Sequence, residues 1–154
     1  CADALKLNED EAVQLAAILD IPFHTIADFC HAMLRLWPLT YCLVTLGENG
    51  VFAADRLGRQ VYEPGYHIAL ADSLGSGDAF SAGFVHNILA GASLAEACRF
   101  GNMLGALVAT KKGATAAVTP GDVDAFSRTP CPRKVHAGFQ SGWLGLEHET
   151  AAHC

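Results

Sequence analysis

The stretch Ala71-Asp72-Ser73-Leu74-Gly75-Ser76-Gly77-Asp78-Ala79-Phe80 constrains the fold more than any other part of the chain. Two glycines and small polar residues separate an apolar run (Tyr66 to Leu70) from a segment that reads as helix (Ala79 to Ala90). A strand, a glycine-rich turn and a helix are expected in that order. Such a turn leaves helix-start N–H groups without partners. Together with the positive end of the helix dipole they form an anion site. The N–H groups of Gly75, Ser76 and Gly77 are the expected cradle, and Asp78 falls in the first helical turn. An anion cradle beside an ionised carboxylate suits phosphoryl transfer to a hydroxyl, with the cradle steadying charge and the carboxylate taking the proton. The plainer reading makes Asp78 only a dipole partner at a helix start.

The loop is not a Walker A motif, because no Lys-Ser/Thr follows the glycines. Nor is it a dinucleotide fingerprint, since Phe80 stands at the third glycine position. The longer string Asp72 to Phe84, Asp-Ser-Leu-Gly-Ser-Gly-Asp-Ala-Phe-Ser-Ala-Gly-Phe, closely resembles the signature of the ribokinase-like (PfkB) carbohydrate kinases, D-T-x-G-A-G-D-x-F. Ser73 replaces Thr and Ser76 replaces Ala, which leaves the glycines and the acid in place. The resemblance implies ATP-dependent phosphorylation of a sugar or related small alcohol, with Asp78 as the base and Gly75, Ser76 and Gly77 as the anion hole.

Earlier in the chain, Ala4-Leu5-Lys6-Leu7 reads as a strand and Asn8-Glu9-Asp10-Glu11 opens a helix whose apolar residues fit one face. Asn8 and Glu11 have capping-box spacing. The same strand-Asn-x-x-Glu string resembles a second family signature, which implies that Asn8 and Glu11 assist Mg²⁺, partly through water; both roles are compatible. Thr25 to Leu36 reads as a second helix capped by Thr25 and stopped before Pro38. Tyr41 to Leu46 is a nearly continuous apolar run, expected as a buried strand of a parallel sheet. Gly47 to Gly50 then turns the chain into a strand at Val51–Ala54, and the glycines fit a plain hairpin as well. The string Thr45-Leu46-Gly47-x-x-Gly50 also resembles the family turn that borders the nucleotide, so Thr45, Gly47 and Gly50 are implied to border ATP. Gln60–Glu63 and Tyr66–Leu70 are expected as two short strands.

Ser93-Leu94-Ala95-Glu96 is a capping box opening a helix to about Thr110, apolar nearly all round. Its odd polar residue, Asn102, reads as a satisfied internal amide, while the resemblance places it at the adenine. Lys111-Lys112-Gly113 is ordinary helix C-terminal chemistry. The resemblance makes this loop, with the Asp72 loop, a site for a monovalent cation such as K⁺, with Asp72, Leu74, Val108, Lys111 and Gly113 as candidates. Residue 117 is Ala where some members carry Ser, which removes one ligand.

The remaining properties bound the alternatives. A 154-residue chain with 51% hydrophobic and 17% charged residues suits one compact domain. A net charge of −6, without a basic stripe, argues against nucleic acid as a partner, and no apolar run reaches the length of a membrane span. Six cysteines lack CxxC spacing; Cys30, Cys42 and Cys98 sit in apolar segments as core thiols do, and reduced thiols fit a cytoplasmic protein. Residues 128–154 lack periodicity and read as an irregular tail after a kinase region at 1–127. Cys131, His136, His148, His153 and Cys154 fit no compact zinc motif.

The expected fold is thus a three-layer α/β/α sandwich, ribokinase-like, forming the C-terminal, nucleotide-binding half of a longer kinase. The half holding the acceptor site and lid is absent, so the chain alone is expected to be inactive, and its uncovered sheet edge favours self-association, for example as a homodimer. The competing readings are a nucleoside or hydroxymethylpyrimidine kinase of the same family and a non-catalytic nucleotide-binding remnant.

Overall fold

Asn8 sits where strand becomes helix. It is the last residue of β1 (Ala4–Asn8) and the N-cap of α1 (Glu9–Ile18), its extended backbone suiting both. The computed structural model describes residues 2–113 and 117–139. Asn8 Oδ1 accepts from the Glu11 N–H and Glu11 Oε2 accepts from the Asn8 N–H, both at 2.8 Å, so the expected capping box is complete. The Thr25 cap of α2 (Ile26–Leu36) forms as expected, with Asp28 completing the box. The two helices carry the chain across so that β2 (Tyr41–Thr45) returns parallel to β1, with Ala4 opposite Tyr41 and Asn8 opposite Thr45.

A single 3₁₀ turn (Gly47–Asn49) then reverses the chain into β3 (Gly50–Asp55), and β4 (Gln60–Tyr66) follows. The sheet order is β1-β2-β3-β4-β5, with β5 at Arg133–Lys134. Only β1 and β2 run parallel; every later pairing is antiparallel. The continuous apolar character of β2 therefore reflects burial on both faces rather than an all-parallel sheet. Cys42 and Val44 join Phe52 and Ala54 in the core under α1 and α2. Leu43, Val51 and Ala53 face the opposite way. That second core lies under α3 (Ser76–Leu89) and α4 (Leu94–Ala109), so helices cover both faces in the expected three layers. Cys30, Cys42 and Cys98 are buried free thiols within these cores. Burial pushes the Cys98 thiol up, and hydrogen bonding to Cys42 followed by burial does the same for Cys30.

Three expectations about elements need correction. Gln60 to Leu70 does not hold two strands. β4 runs unbroken through Pro64 and Gly65 to Tyr66, and residues 67–70 have no regular pairing. Pro64 is tolerated because it needs no N–H there, and Gly65 because a Cβ would lie 1.8 Å from the Glu48 carbonyl oxygen. Past Tyr66 the chain is instead held by single bonds from the His67 N–H to Pro132 O and from the Ala71 N–H to Ala109 O. Second, α5 (Pro120–Arg128) is a helix that the reading above omits. Its signal was available: Thr119 caps it, Pro120 is its first residue and Asp122 completes the box. Third, the stretch read as irregular after residue 128 contributes β5 and a 3₁₀ turn at Ala137–Phe139. Of the cysteines and histidines weighed for zinc there, His148, His153 and Cys154 lie outside the described residues. Among the described residues no helix is long and apolar enough to cross a membrane.

The helices α3 and α4 meet through glycines. A Cβ on Gly101 would sit 2.8 Å from Phe80 O, and one on Gly105 2.9 Å from Ser76 O. The backbone of α4 therefore supports the first turn of α3 directly.

Candidate active site

The N-terminus of α3 differs from every other α-helix start described. The other four have complete capping boxes, whereas α3 is entered through Gly75 at φ 84° and has no side-chain cap. A left-handed N-cap suits glycine. Of the three N–H groups expected in a cradle, that of Ser76 is already bonded. The Ser76 N–H donates to Ser73 O at 3.2 Å, and its hydroxyl donates to the same oxygen at 2.8 Å, closing a tight turn. The N–H groups of Gly77 and Asp78, second and third in the helix, have no acceptor among the described residues. Asp78 itself is exposed in the first turn.

Lys6, not singled out from the sequence, stands beside this helix start. Leu5 and Leu7 pack into the core under α1 and α2, so the strand alternation turns Lys6 toward α3. Its ammonium nitrogen would lie 3.2 Å from a Cβ on Gly77, which places a cation directly against the glycine turn. A lysine between two core leucines, two residues before the helix cap, was the available signal. An uncapped helix start, a lysine ammonium and an accessible carboxylate thus meet at one point.

The other predicted groups divide by what already holds them. Asn8 and Glu11 bond to one another across the capping box, leaving Glu11 Oε1 with no protein donor among the described residues. The Thr45 hydroxyl donates to Leu7 O at 3.2 Å, tying β2 to β1 beside Asn8. Gly50, at φ 100°, is sealed against β4, where a Cβ would meet Glu63 O at 2.0 Å. Gly47, at φ 56°, faces open space. Asn102 Nδ2 donates to Pro64 O at 2.7 Å, so its amide is a satisfied internal group that also ties α4 to β4. Thr45, Gly47, Gly50 and Asn102 are therefore gathered around the turn and the Pro64–Gly65 segment.

The two loops named for a monovalent cation are joined. Asp72 Oδ1 accepts from the Leu74 N–H at 3.0 Å, and Oδ2 accepts from the Gly113 N–H at 3.3 Å. The Lys111 N–H donates to Val108 O at 2.9 Å. The Lys111 ammonium turns toward Ala117 O and Asp122, at 2.8 and 3.0 Å. Backbone bonds from Thr119, then its hydroxyl and Lys111, hold the Asp122 carboxyl down at about 2.

A three-layer fold whose third helix starts uncapped after a glycine turn is the fold of the ribokinase-like kinases. A crystal structure of ribokinase from Thermotoga maritima superposes with a TM-score of 0.74 at 26% identity, covering 82% of this chain and 42% of that one. The sequence profile of the pfkB family carbohydrate kinases matches residues 1–120, and the chain belongs to that family. Relatives include the bifunctional protein HldE of Caulobacter vibrioides, 33% identical over 169 residues, covering 96% of this chain and 35% of that protein. A fructokinase of Klebsiella pneumoniae is 35% identical over 123 residues, covering 76% of this chain and 38% of the relative. The chain therefore spans well under half the length of these relatives.

Proposed function

We propose that this chain is the nucleotide-binding and catalytic half of an ATP-dependent sugar kinase, completed by a further half that carries the acceptor site. The carrying observation is the start of α3, the one described α-helix without a side-chain cap, faced by the Lys6 ammonium and bearing Asp78. Free N–H groups and a lysine fit the transferred phosphoryl group, where charge must be held without solvent reorganisation. Asp78, exposed beside them, accepts the proton of the sugar hydroxyl as that oxygen takes the phosphoryl group. Sugar as the acceptor class rests on the fructokinase and ribokinase relatives.

The remaining groups fit the same assembly. Glu11 Oε1 is available for Mg²⁺ or its water shell, and a bound Mg²⁺ would offset phosphate charge during transfer. Thr45, Gly47, Gly50 and Asn102 border the nucleotide. For Asn102 the occupied Nδ2 leaves the side-chain carbonyl as the group able to face a base. Asp72, Leu74, Val108, Lys111 and Gly113 fit K⁺ through carbonyl oxygens, with the Asp72 carboxylate joining the two loops. Buried free thiols suit a reducing compartment, in keeping with a cytoplasmic enzyme.

The test is Asp78→Asn in the complete protein that carries this chain. Turnover is expected to fall by roughly 10²–10⁴, the usual size of a lost general base, with ATP affinity and folding unchanged. Turnover within a few-fold of the unaltered enzyme would reduce Asp78 to a helix-end charge and remove the base from the scheme.

A further inference from the structure

The family match ends at residue 120, yet residues 132–139 lie across the elements assigned to the nucleotide. The His67 N–H donates to Pro132 O at 2.8 Å, and β5 pairs Lys134 with Gly65 and Arg133 with Tyr66. Beyond β5 the chain reaches Tyr62. The His136 N–H donates to the Tyr62 hydroxyl at 2.6 Å, and that hydroxyl donates to Asn49 O at 2.8 Å. The Phe139 ring stacks on Tyr62, with centroids 4.2 Å apart and planes 9° from parallel. Lys134 pairs with Glu48, and His136 Nε2 lies 3.3 Å from Glu9 Oε1, between the capping residues Asn8 and Glu11.

These contacts converge on the turn at Gly47–Gly50. Two positive-φ glycines frame it, and the Gly47 side faces open space. Its outside support consists of β4 against Gly50, the Tyr62 bond at Asn49, and the Lys134 pair at Glu48. The Lys134–Glu48 pair is largely exposed, and such pairs hold little. The relay from His136 N–H through Tyr62 to Asn49 is partly buried and has both of its bonds made. Phe139 over the ring keeps the phenol aimed at that carbonyl.

We propose that residues 133–139 form a strap that positions the nucleotide-bordering turn, with Tyr62 and Phe139 as its positioning residues. The role rests on the reading of Gly47–Gly50 as a nucleotide border given above. The strap lies beyond residues 1–120, the span that the family profile matches.

The test uses the complete protein that carries this chain, with Tyr62→Phe, which removes the hydroxyl but keeps the ring and its stack on Phe139. Amide hydrogen exchange read by mass spectrometry should show residues 47–50 exchanging roughly tenfold faster, the scale of one lost partly buried hydrogen bond. The dissociation constant for Mg·ATP should rise several-fold, with the thermal midpoint falling by no more than a few degrees. Phe139→Ala, which keeps the hydroxyl but frees the ring, should move both readouts the same way. Unchanged exchange at 47–50, or faster exchange with unchanged Mg·ATP affinity, overturns the strap while leaving the nucleotide site intact. Failure of the unaltered complete protein to bind Mg·ATP would instead remove the nucleotide reading, and this role with it.

Discussion

Replacing Gly105 with alanine tests whether α4 sets the height of the first turn of α3, the turn proposed above as catalytic. The new Cβ would lie 2.9 Å from Ser76 O, a backbone atom that cannot rotate away. Ordinary carbon–oxygen contact is about 0.5 Å longer, so the first turn of α3 must lift or the helices must part. Overpacking of this kind costs about 1–3 kcal/mol, and the better helix propensity of alanine returns about 1 kcal/mol. The net loss of up to roughly 2 kcal/mol corresponds to a fall in Tm of a few degrees. The catalytic cost should be larger in proportion, because Gly77 and Asp78 ride on the displaced turn. If a 1 Å misplacement costs about a hundredfold, half of it should cost roughly tenfold in kcat. The assay pairs thermal unfolding with turnover of the complete kinase. Gly121→Ala is the control: its Cβ would meet only Thr119 Oγ1, at 3.7 Å, so turnover should be unchanged. A Gly105→Ala enzyme with unchanged turnover and an unchanged or raised Tm would refute the claim that α4 supports the cradle by direct backbone contact.

Two further outcomes are expected. Glu11→Gln keeps an acceptor for the Asn8 N–H but loses charge, so the Mg²⁺ concentration for half-maximal rate should rise while stability changes little; an unchanged Mg²⁺ curve leaves Glu11 as a cap alone. Hydrogen bonds within their caps hold Asp28, Glu96 and Asp122 below their ordinary values of 3.8, 4.5 and 3.8, Asp122 at about 2. A carboxyl lowered by folding stabilises above its unfolded pKa and loses that contribution as pH falls through the folded value. Carboxyl-detected NMR titration should find these three midpoints lowered, with the helix-start contributions lost below about pH 4; midpoints at the ordinary values would show that the caps do not form in solution.

Much of the local architecture was legible because its causes lie within three or four residues. Asn8 with Glu11, Thr25 with Asp28 and Ser93 with Glu96 each close a box that a residue pattern announces. The α5 box at Thr119 and Asp122 is equally local, and its pattern stands in the sequence. The cradle was legible for the same reason, since a glycine turn entering a helix is a property of consecutive backbone units.

Other features depended on segments far apart in the chain. Lys6 becomes part of the site only because β1 pairs with β2 in a register that turns it toward α3. Asn102 meets Pro64 across 38 positions, Arg133 meets Glu63 across 70, and Lys134 meets Glu48 across 86. The mixed sheet likewise could not be read from β2, because a strand buried on both faces carries the same apolar run whichever way its neighbours point. Short-range hydrogen bonds leave a pattern in the residues that make them. A contact between distant segments leaves no such pattern: Leu5-Lys6-Leu7 sets Lys6 on the opposite face from the leucines, but that it meets the Gly77 turn, like the strap over Tyr62, appears only in the folded chain.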